Sequence, residues 1–327
     1  EPQMKRYVLG LIIMLGVAFT PIWFWRSMAG VAYVVSGLLL LVVEFFGTAG
    51  MGAQRWIDLG FMRLQPSEFM KVAQVMMLAM YYDWLDDKKV SRPLWVLIPV
   101  ILIVGPTVLV LMQPNLGTSI MLIVAGGAVM FAAGVSIWYF VAVIALVVGA
   151  VAAVVESEGA SWQLLHDYQY RRIHTFLDPA ADPLGAGYNI IQAKIALGSG
   201  GWAGKGFMQG TQSRLNFLPE KHTDFIFTTL GEEFGFVGAF SLLMLYALIL
   251  VFLLWAAIQN RDRFSQLVII GVAANFFLYI AVNLSMVMGM APVVGVPLPL
   301  LSYGGSATLM IMLSFGLVQS AIVHRLR

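Results

Sequence analysis

The sequence is divided by long apolar segments, and these segments constrain the fold more than any other feature. Nine stretches are apolar and long enough to cross the hydrocarbon core of a bilayer as helices, which takes about 20 residues each. They cover residues 5–22, 28–47, 67–84, 94–112, 117–134, 136–155, 224–256, 265–290 and 299–322. Of the 327 residues, 60% are hydrophobic and only 11% are charged, against about 25% charged residues in soluble domains. We therefore predict an all-α polytopic membrane protein.

Charge and cysteine content exclude several other classes of function. The net charge of +2 is too small to indicate a nucleic-acid partner. The chain has no cysteine, so it contains neither a disulfide framework nor a thiolate metal site. Its four histidines show no metal-ligand spacing.

The lysines and arginines of the short loops predict the orientation in the membrane, because cytoplasmic loops carry an excess of them. Alternate loops and the C-terminal tail are basic, and their residues are Arg26, Lys88, Lys89, Arg92, Arg261, Arg263, Arg325 and Arg327. We assign these loops to the cytoplasm, which places Glu1 outside after nine spans. The chain begins without a recognisable signal peptide. We expect a truncated N-terminus, with one missing span and ten spans in the complete protein.

The same orientation places the longest loop, residues 156–223, outside the cytoplasm. It is rich in turn signals, such as "DPAADPLGAG" and "GSGGWAGKG". We expect residues 1–327 to form a single integral membrane domain, with this large extracytoplasmic loop within it.

At the end of that loop, the stretch "PEKHTDFIF" brings Asp224 to the edge of an apolar run. On a helix, Thr228 and Gly231 would follow Asp224 on the same face and line a cavity. Asp224 or Thr223 would also serve as an ordinary helix cap, and on local sequence the cap is the more common role. Glu232 and Glu233 lie deeper, and we interpret both as structural anchors.

A second charged pair, Glu68 and Lys71, begins a predicted span that opens with Pro66. Spacing of three puts both side chains on one helical face. The pair is either a structural ion pair that neutralises two charges near lipid or the lining of an outward-facing polar cavity. Ionisable groups within the membrane favour a functional role.

Several further residues of the outer surface are candidates for substrate binding. Arginine and lysine are the natural ligands of phosphate oxygens, and the outer loops hold Arg55, Arg63, Lys205 and Lys221. The stretch "SYGGSA" places Ser302 and Tyr303 at a glycine break at the head of the last predicted span, where the backbone would approach a ligand or another helix closely.

Long motifs in a fixed order identify a resemblance that covers essentially the whole chain. They are "GAQRWIDLG", "QPSEFMK", "QPNLGTS", "DPLGAGYNIIQAKIALGSGG", "GKGFMQGTQSRLNFLPEKHTDFIF", "GEEFGFVG" and "PVVGVPLPLLSYGGSA". The chain resembles the SEDS family (shape, elongation, division and sporulation), and within it the RodA-type elongation members.

The resemblance implies a ten-span peptidoglycan glycosyltransferase of the bacterial cytoplasmic (inner) membrane. Such an enzyme polymerises lipid II on the outer face and works with a class B penicillin-binding protein, a transpeptidase of the elongation machinery. The family's essential acid falls on Asp224, and the polar pair of its outer cavity falls on Glu68 and Lys71. The chain departs from the family's "QPDLGT" at Asn115, which puts a role for a carboxylate there in doubt.

The implied reaction joins the 4-hydroxyl of one lipid-linked disaccharide to the anomeric carbon of another. One displacement with inversion converts the α-linked donor into a β-1,4 product, and undecaprenyl pyrophosphate leaves. We predict Asp224 as the general base that takes the hydroxyl proton. Arg55, Arg63, Lys205 and Lys221 would hold the pyrophosphate, alone or with a divalent cation, Mg²⁺ or Mn²⁺.

Three alternatives stay open from the sequence. A lipid II flippase or other transporter would spread charged groups through the membrane depth, whereas the candidate residues here gather at the outer face. A scaffold without activity of its own would depend on its partner for polymerisation. A division-type member, similar to FtsW, would use the same chemistry at a different stage of growth.

Overall fold

A computed structural model describes residues 2–46, 48–50, 53–58, 63–159, 170, 188–214 and 223–324 of the chain. The chain is mostly helical, as the apolar segments predict. Its helices are α1 (Pro2–Phe19), α2 (Ile22–Phe46), α3 (Pro66–Trp84), α4 (Pro93–Met112), α5 (Leu116–Ala132), α6 (Ile137–Glu156), α7 (Tyr188–Ser199), α8 (Thr211–Arg214), α9 (Ile226–Gln259), α10 (Arg263–Val287) and α11 (Gly305–Val323). The described part also holds three short strands that pair antiparallel in chain order, β1 (Thr48–Gly50), β2 (Ala53–Asp58) and β3 (Arg63–Leu64).

Each of the nine predicted segments contains a helix. Within the described residues, six helices are long and apolar enough to cross a membrane by themselves, namely α2, α4, α6, α9, α10 and α11. The last helix begins at Gly305 instead of the predicted residue 299. Residues 291–304 are not helical because the segment contains prolines and holds Leu300 at φ 57°, outside the right-handed helical region.

The described residues divide into two compact units. The first unit comprises residues 1–135, 243–282 and 294–327, and the second comprises residues 136–242 and 283–293. In the first unit, Leu40, Met70, Val110 and Leu122 form a fully buried cluster. A buried amide connects α3 to α5. Nε2 of Gln74 on α3 donates to the carbonyl of Leu122 on α5 at 2.8 Å.

Charged residues meet at one end of the first unit, where α2 and α10 begin and α3 ends. Arg26 forms ion pairs with Asp83, at 3.4 Å, and with Asp262. Burial by itself would raise the pKa of the Asp262 carboxyl, but hydrogen bonds from Ser265 and Arg26 hold that pKa below its usual value. Arg263 pairs with Asp87 nearby. The basic loops predicted to share one side of the membrane therefore meet in this unit.

In the second unit, α6 and α7 contrast in burial. None of α6's residues is buried, although the helix is apolar all round. A surface of this kind requires an apolar environment, as lipid provides. In α7, by contrast, Ile190, Ala193 and Ala196 form a buried stripe against the rest of the unit. The predicted loop 156–223 therefore contains regular structure at residues 188–199 and 211–214, while most of its remaining residues lie outside the described part.

Candidate active site

The predicted pair of Glu68 and Lys71 forms a closed polar network in the first unit. Pro66 begins α3 at its first turn, and the two charged side chains follow on one face. Nζ of Lys71 donates to Oε1 of Glu68 at 2.8 Å, and both side chains are buried. Tyr279 of α10 completes the network, because its hydroxyl donates to Oε2 of Glu68 and accepts from Lys71. The ammonium also lies 4.0 Å from the centre of the Tyr279 ring.

This network borders a small cavity, which Asn275 and Ser314 also line. Most of its other lining residues are apolar, so a polar cavity that opens outward stays a prediction. Sequence reasoning missed Tyr279 as a member of the network. Its signal is a tyrosine within the apolar run "FFLYIAV", since a buried tyrosine hydroxyl generally has a hydrogen-bond partner.

Asp224 lies in the turn that precedes α9, in the second unit. The residue is buried, with 8% of its surface exposed. Its backbone carbonyl accepts a hydrogen bond of 2.9 Å from Nδ2 of Asn283, a fully buried residue near the end of α10. Glu68 and Lys71 thus belong to the first unit, and Asp224 belongs to the second.

Thr228 lies one helical turn after Asp224 and is also fully buried. Its hydroxyl has no hydrogen-bond partner within the part of the chain that the structure describes. A buried hydroxyl without a partner costs free energy, so the site retains an unused donor and acceptor next to the predicted base. The sequence predicted this residue for the face that carries Asp224.

Glu232 is a structural anchor, as expected, and it binds the segment that precedes α9. Its Oε1 accepts from Nζ of Lys205 at 2.8 Å, from the hydroxyl of Thr211 at 3.1 Å and from the backbone N–H of Gln212 at 2.9 Å. The carboxylate is completely buried, so these charge-assisted bonds offset its desolvation. Lys205 also donates to Thr211. Its ammonium has three protons, and two are directed to these partners.

A loop of residues 200–206, here called the glycine loop, docks against an interruption in α9. Gly235 has φ 66° and ψ −161°, which breaks the helical hydrogen-bond ladder. The carbonyls of Glu232 and Glu233 accept from the N–H groups of Lys205 and Gly206, both at 3.0 Å. In the other direction, the N–H groups of residues 236 and 237 donate to the carbonyls of residues 201 and 202. The loop thus satisfies the backbone groups that the break leaves without helical partners.

The other predicted phosphate ligands occupy separate positions. Arg63 lies in β3, mostly exposed, with its Nε 3.8 Å from a carboxylate oxygen of Asp58 on β2. Arg55 belongs to β2, but its side chain lies outside the described part. Lys221 lies outside the described residues altogether.

Ser302 and Tyr303 belong to the turn before α11. The Ser302 hydroxyl accepts from the N–H of Leu298 at 2.8 Å, which closes the turn. Tyr303 is partly exposed, and the guanidinium of Arg6 lies 4.5 Å from the centre of its ring. These contacts give Ser302 a structural part in the turn.

Asn115, where the family pattern has aspartate, caps α5. Its side-chain oxygen accepts from the N–H of Thr118 at 3.4 Å. Asparagine and aspartate are about equally good helix caps, so this local role does not depend on a carboxylate. The described residues contain no group of three or more His, Asp or Glu placed to hold a metal ion.

Comparison with known proteins supports the resemblance over the whole length. A family model described as "Cell cycle protein" (FTSW_RODA_SPOVE) matches residues 2–326. Peptidoglycan glycosyltransferase MrdB of Escherichia coli K12 is 44% identical over 328 residues, which cover 99% of this chain and 86% of that protein.

Two solved structures are similar in fold. A chain of a peptidoglycan synthase complex that coordinates polymerization and crosslinking matches with a TM-score of 0.81 and 30% identity, over 99% of this chain and 88% of that one. The rod-shape-determining protein RodA of Thermus thermophilus matches with a TM-score of 0.72 and 27% identity, over 100% and 88%. The chain belongs to the FtsW/RodA/SpoVE family, the SEDS proteins, and within it to the RodA type.

Proposed function

We propose that this protein is a peptidoglycan glycosyltransferase that polymerises lipid II into β-1,4 glycan strands during cell elongation. The observation that carries the proposal is the 44% identity to MrdB along almost the whole chain, which includes the buried Asp224. The names of MrdB and RodA favour the elongation type over the division type.

In this proposal Asp224 is the general base. Its carboxylate accepts the proton of the acceptor's 4-hydroxyl while the hydroxyl oxygen attacks the anomeric carbon of the donor. The bond from that carbon to pyrophosphate breaks with inversion, and undecaprenyl pyrophosphate leaves. The low exposure of Asp224 supports this role. A general base acts best where bulk water does not compete with the substrate hydroxyl for the carboxylate.

Cationic side chains would stabilise the charge that develops on pyrophosphate. Arg63 is exposed and weakly paired, so little has to be given up when it binds a phosphate. Arg55 and Lys221 remain candidates from the sequence. Lys205 would bind with its one remaining proton while it keeps its bonds to Glu232 and Thr211. A divalent cation would supplement these groups through the phosphates themselves.

Glu68 and Lys71 would line the substrate cavity, and Ser302 and Tyr303 would contact substrate at the turn before α11. Glu68 and Lys71 neutralise each other, so both charges already have partners. This favours a role for the pair in supporting the site over a role in proton transfer.

We further propose that α1, α3 and α5 cross the membrane in addition to the six helices of sufficient length and hydropathy, which gives nine spans. The whole chain would form one integral membrane domain of the bacterial inner membrane, with residues 156–223 on the outer face. The charge cluster around Arg26 and Asp262 supports a common, cytoplasmic side for the basic loops.

The partner would be a class B penicillin-binding protein that crosslinks the strands. The similarity to a chain of a complex that couples polymerization to crosslinking supports this pairing.

The test is polymerisation of lipid II by the purified protein and its Asp224→Ala variant. We expect the variant to purify with unchanged thermal stability and to make no glycan strands above background. Glycan synthesis near the wild-type rate by Asp224→Ala would remove Asp224 as the base. If even the wild type made no strands and instead moved lipid II across vesicles, the transporter alternative would replace the proposal.

A further inference from the structure

The turn that carries Asp224 is held from outside its own helix. The N–H groups of Thr228 and Thr229 both donate to the carbonyl of Phe225, at 3.0 and 3.3 Å. The carbonyl of Asp224, one residue earlier, accepts instead from Nδ2 of Asn283 at 2.9 Å. The position of Asp224 along the turn therefore depends on a side chain of α10.

Asn283 is an unfavourable residue for its location unless this bond compensates. It occurs in the apolar stretch "YIAVNLSMV" and is completely buried. Asparagine has a lower helix propensity than the leucine or alanine that would fit such a stretch, and a polar group within a membrane helix is costly without a partner. Its amide donates to the backbone of the residue that the proposed function makes the base.

The bond to Asn283 uses the backbone carbonyl and not the carboxylate of Asp224. A donor aimed at the carboxylate would compete for the oxygen that takes the proton. A donor aimed at the backbone fixes the position of the Asp224 backbone in the turn without itself occupying a carboxylate oxygen. A general base has to be within hydrogen-bond reach of the proton that it removes, and errors of about 1 Å in placement cost on the order of 10²-fold in rate.

We propose that Asn283 is a positioning residue for the glycosyl transfer, which holds Asp224 in the geometry that the reaction requires. The inference rests on the proposed function, because it assigns Asn283 a part only if Asp224 is the base. Asn283 does not itself touch substrate in this scheme. Its loss therefore lowers kcat and leaves the KM for lipid II nearly unchanged, since binding of the two lipid-linked sugars uses other residues.

The experiment compares Asn283→Leu with a matched control, Asn260→Leu, in the full-length protein. Asn260 is also buried, and its Nδ2 donates to the carbonyl of Ala321 at 3.0 Å, so it makes the same kind of bond at a place without a candidate catalytic residue. Both substitutions remove one amide-to-carbonyl bond, and both are expected to lower the thermal unfolding temperature by similar amounts.

For lipid II polymerisation we expect Asn283→Leu to lower kcat on the order of 10²-fold, with KM within about threefold of wild type, a ratio that corresponds to under 1 kcal/mol. Asn260→Leu should retain a kcat within about twofold of the wild-type value. Asn283→Gln, which keeps an amide on a longer side chain, should recover part of the loss. If Asn283→Leu does not purify in a folded form, Asn283→Ser, with a shorter donor, takes its place in the comparison.

A kcat near the wild-type value in folded Asn283→Leu or Asn283→Ser, together with an inactive Asp224→Ala variant, would overturn the inference and leave the proposed function intact. An equal fall of kcat in the Asn260→Leu control would overturn it as well, because the effect would then follow stability. Activity in Asp224→Ala would instead contradict the assignment of the base.

Discussion

The two polar clusters of this protein are built in opposite ways. In the first unit, Glu68, Lys71 and Tyr279 satisfy one another through their side chains, and the charges cancel. In the second unit, Asp224 is held through its backbone, and the nearby hydroxyl of Thr228 has no partner among the described residues. The first arrangement stabilises the fold through matched side chains. In the second, a backbone bond positions Asp224, and the Thr228 hydroxyl makes no hydrogen bond to a described residue.

This difference in hydrogen bonding distinguishes the two clusters more clearly than burial does. All of these residues are buried to a similar degree, so exposure alone would not distinguish them. A network whose donors and acceptors are all matched has little left to offer a substrate. A buried hydroxyl without a partner among the described residues, as at Thr228, instead costs stability.

The largest effect is expected from breaking the closed network at its cation. Lys71→Met leaves the carboxylate of Glu68 buried without its partner, so the free energy of unfolding should fall by about 3 to 5 kcal/mol. Thermal unfolding in detergent measures the loss. The double variant Glu68→Gln/Lys71→Met removes both charges and should recover most of it. A double variant as unstable as Lys71→Met would show that the network does not stabilise by charge pairing.

A smaller effect is expected from the glycine loop, which supports α9 in the second unit. Gly204 has φ 79°, and a Cβ there would overlap the carbonyl of Glu233. Gly204→Ala should therefore lower the unfolding free energy by about 2 kcal/mol or more. Gly149→Ala is the matched control, because Gly149 lies in α6 with nothing near its Cβ position. Equal stabilities for the two variants would contradict the tight docking of the loop.

The finest test removes a single hydroxyl from each cluster. Tyr279→Phe should cost about 1 to 3 kcal/mol of stability, since Glu68 and Lys71 each lose a hydrogen bond. Thr228→Val should leave stability unchanged or raise it by about 1 kcal/mol, because it removes a buried hydroxyl that has no partner among the described residues. Unfolding and lipid II polymerisation are measured on both variants. A larger loss of stability in Thr228→Val than in Tyr279→Phe would reverse the comparison between the clusters.

Much of the helical framework could be predicted from the sequence, because apolar segments of about 20 residues have few alternatives to the helix in lipid. The pairing of Glu68 with Lys71 was also predictable, since it depends on helical spacing within one segment. The contacts of Tyr279 and Asn283 were not, because they join residues more than 50 positions apart in the chain. Local periodicity carries no information about which distant backbone or side chain a buried polar group will face.

Lys205 illustrates the same limit from the other direction. A lysine in an outer loop suggests a phosphate ligand, and its sequence neighbours give no sign of Glu232, to which it is bound. The late start of α11 at Gly305 has a more local origin, since the prolines and the left-handed Leu300 precede it. Hydropathy alone could not locate that late start, because it measures how apolar a segment is and not whether its prolines prevent a helix.

The connection between the glycine loop and α9 is made by backbone atoms on both sides. Its mutational tolerance should therefore be uneven. Most side chains are compatible with the backbone bond that Val237 donates to Trp202, since the side chain of Val237 is exposed and takes no part in that bond. At Gly200, Gly204 and Gly235 any side chain at all would collide with the opposing backbone. The sequence information that specifies this contact thus resides in three residues that have no side chain.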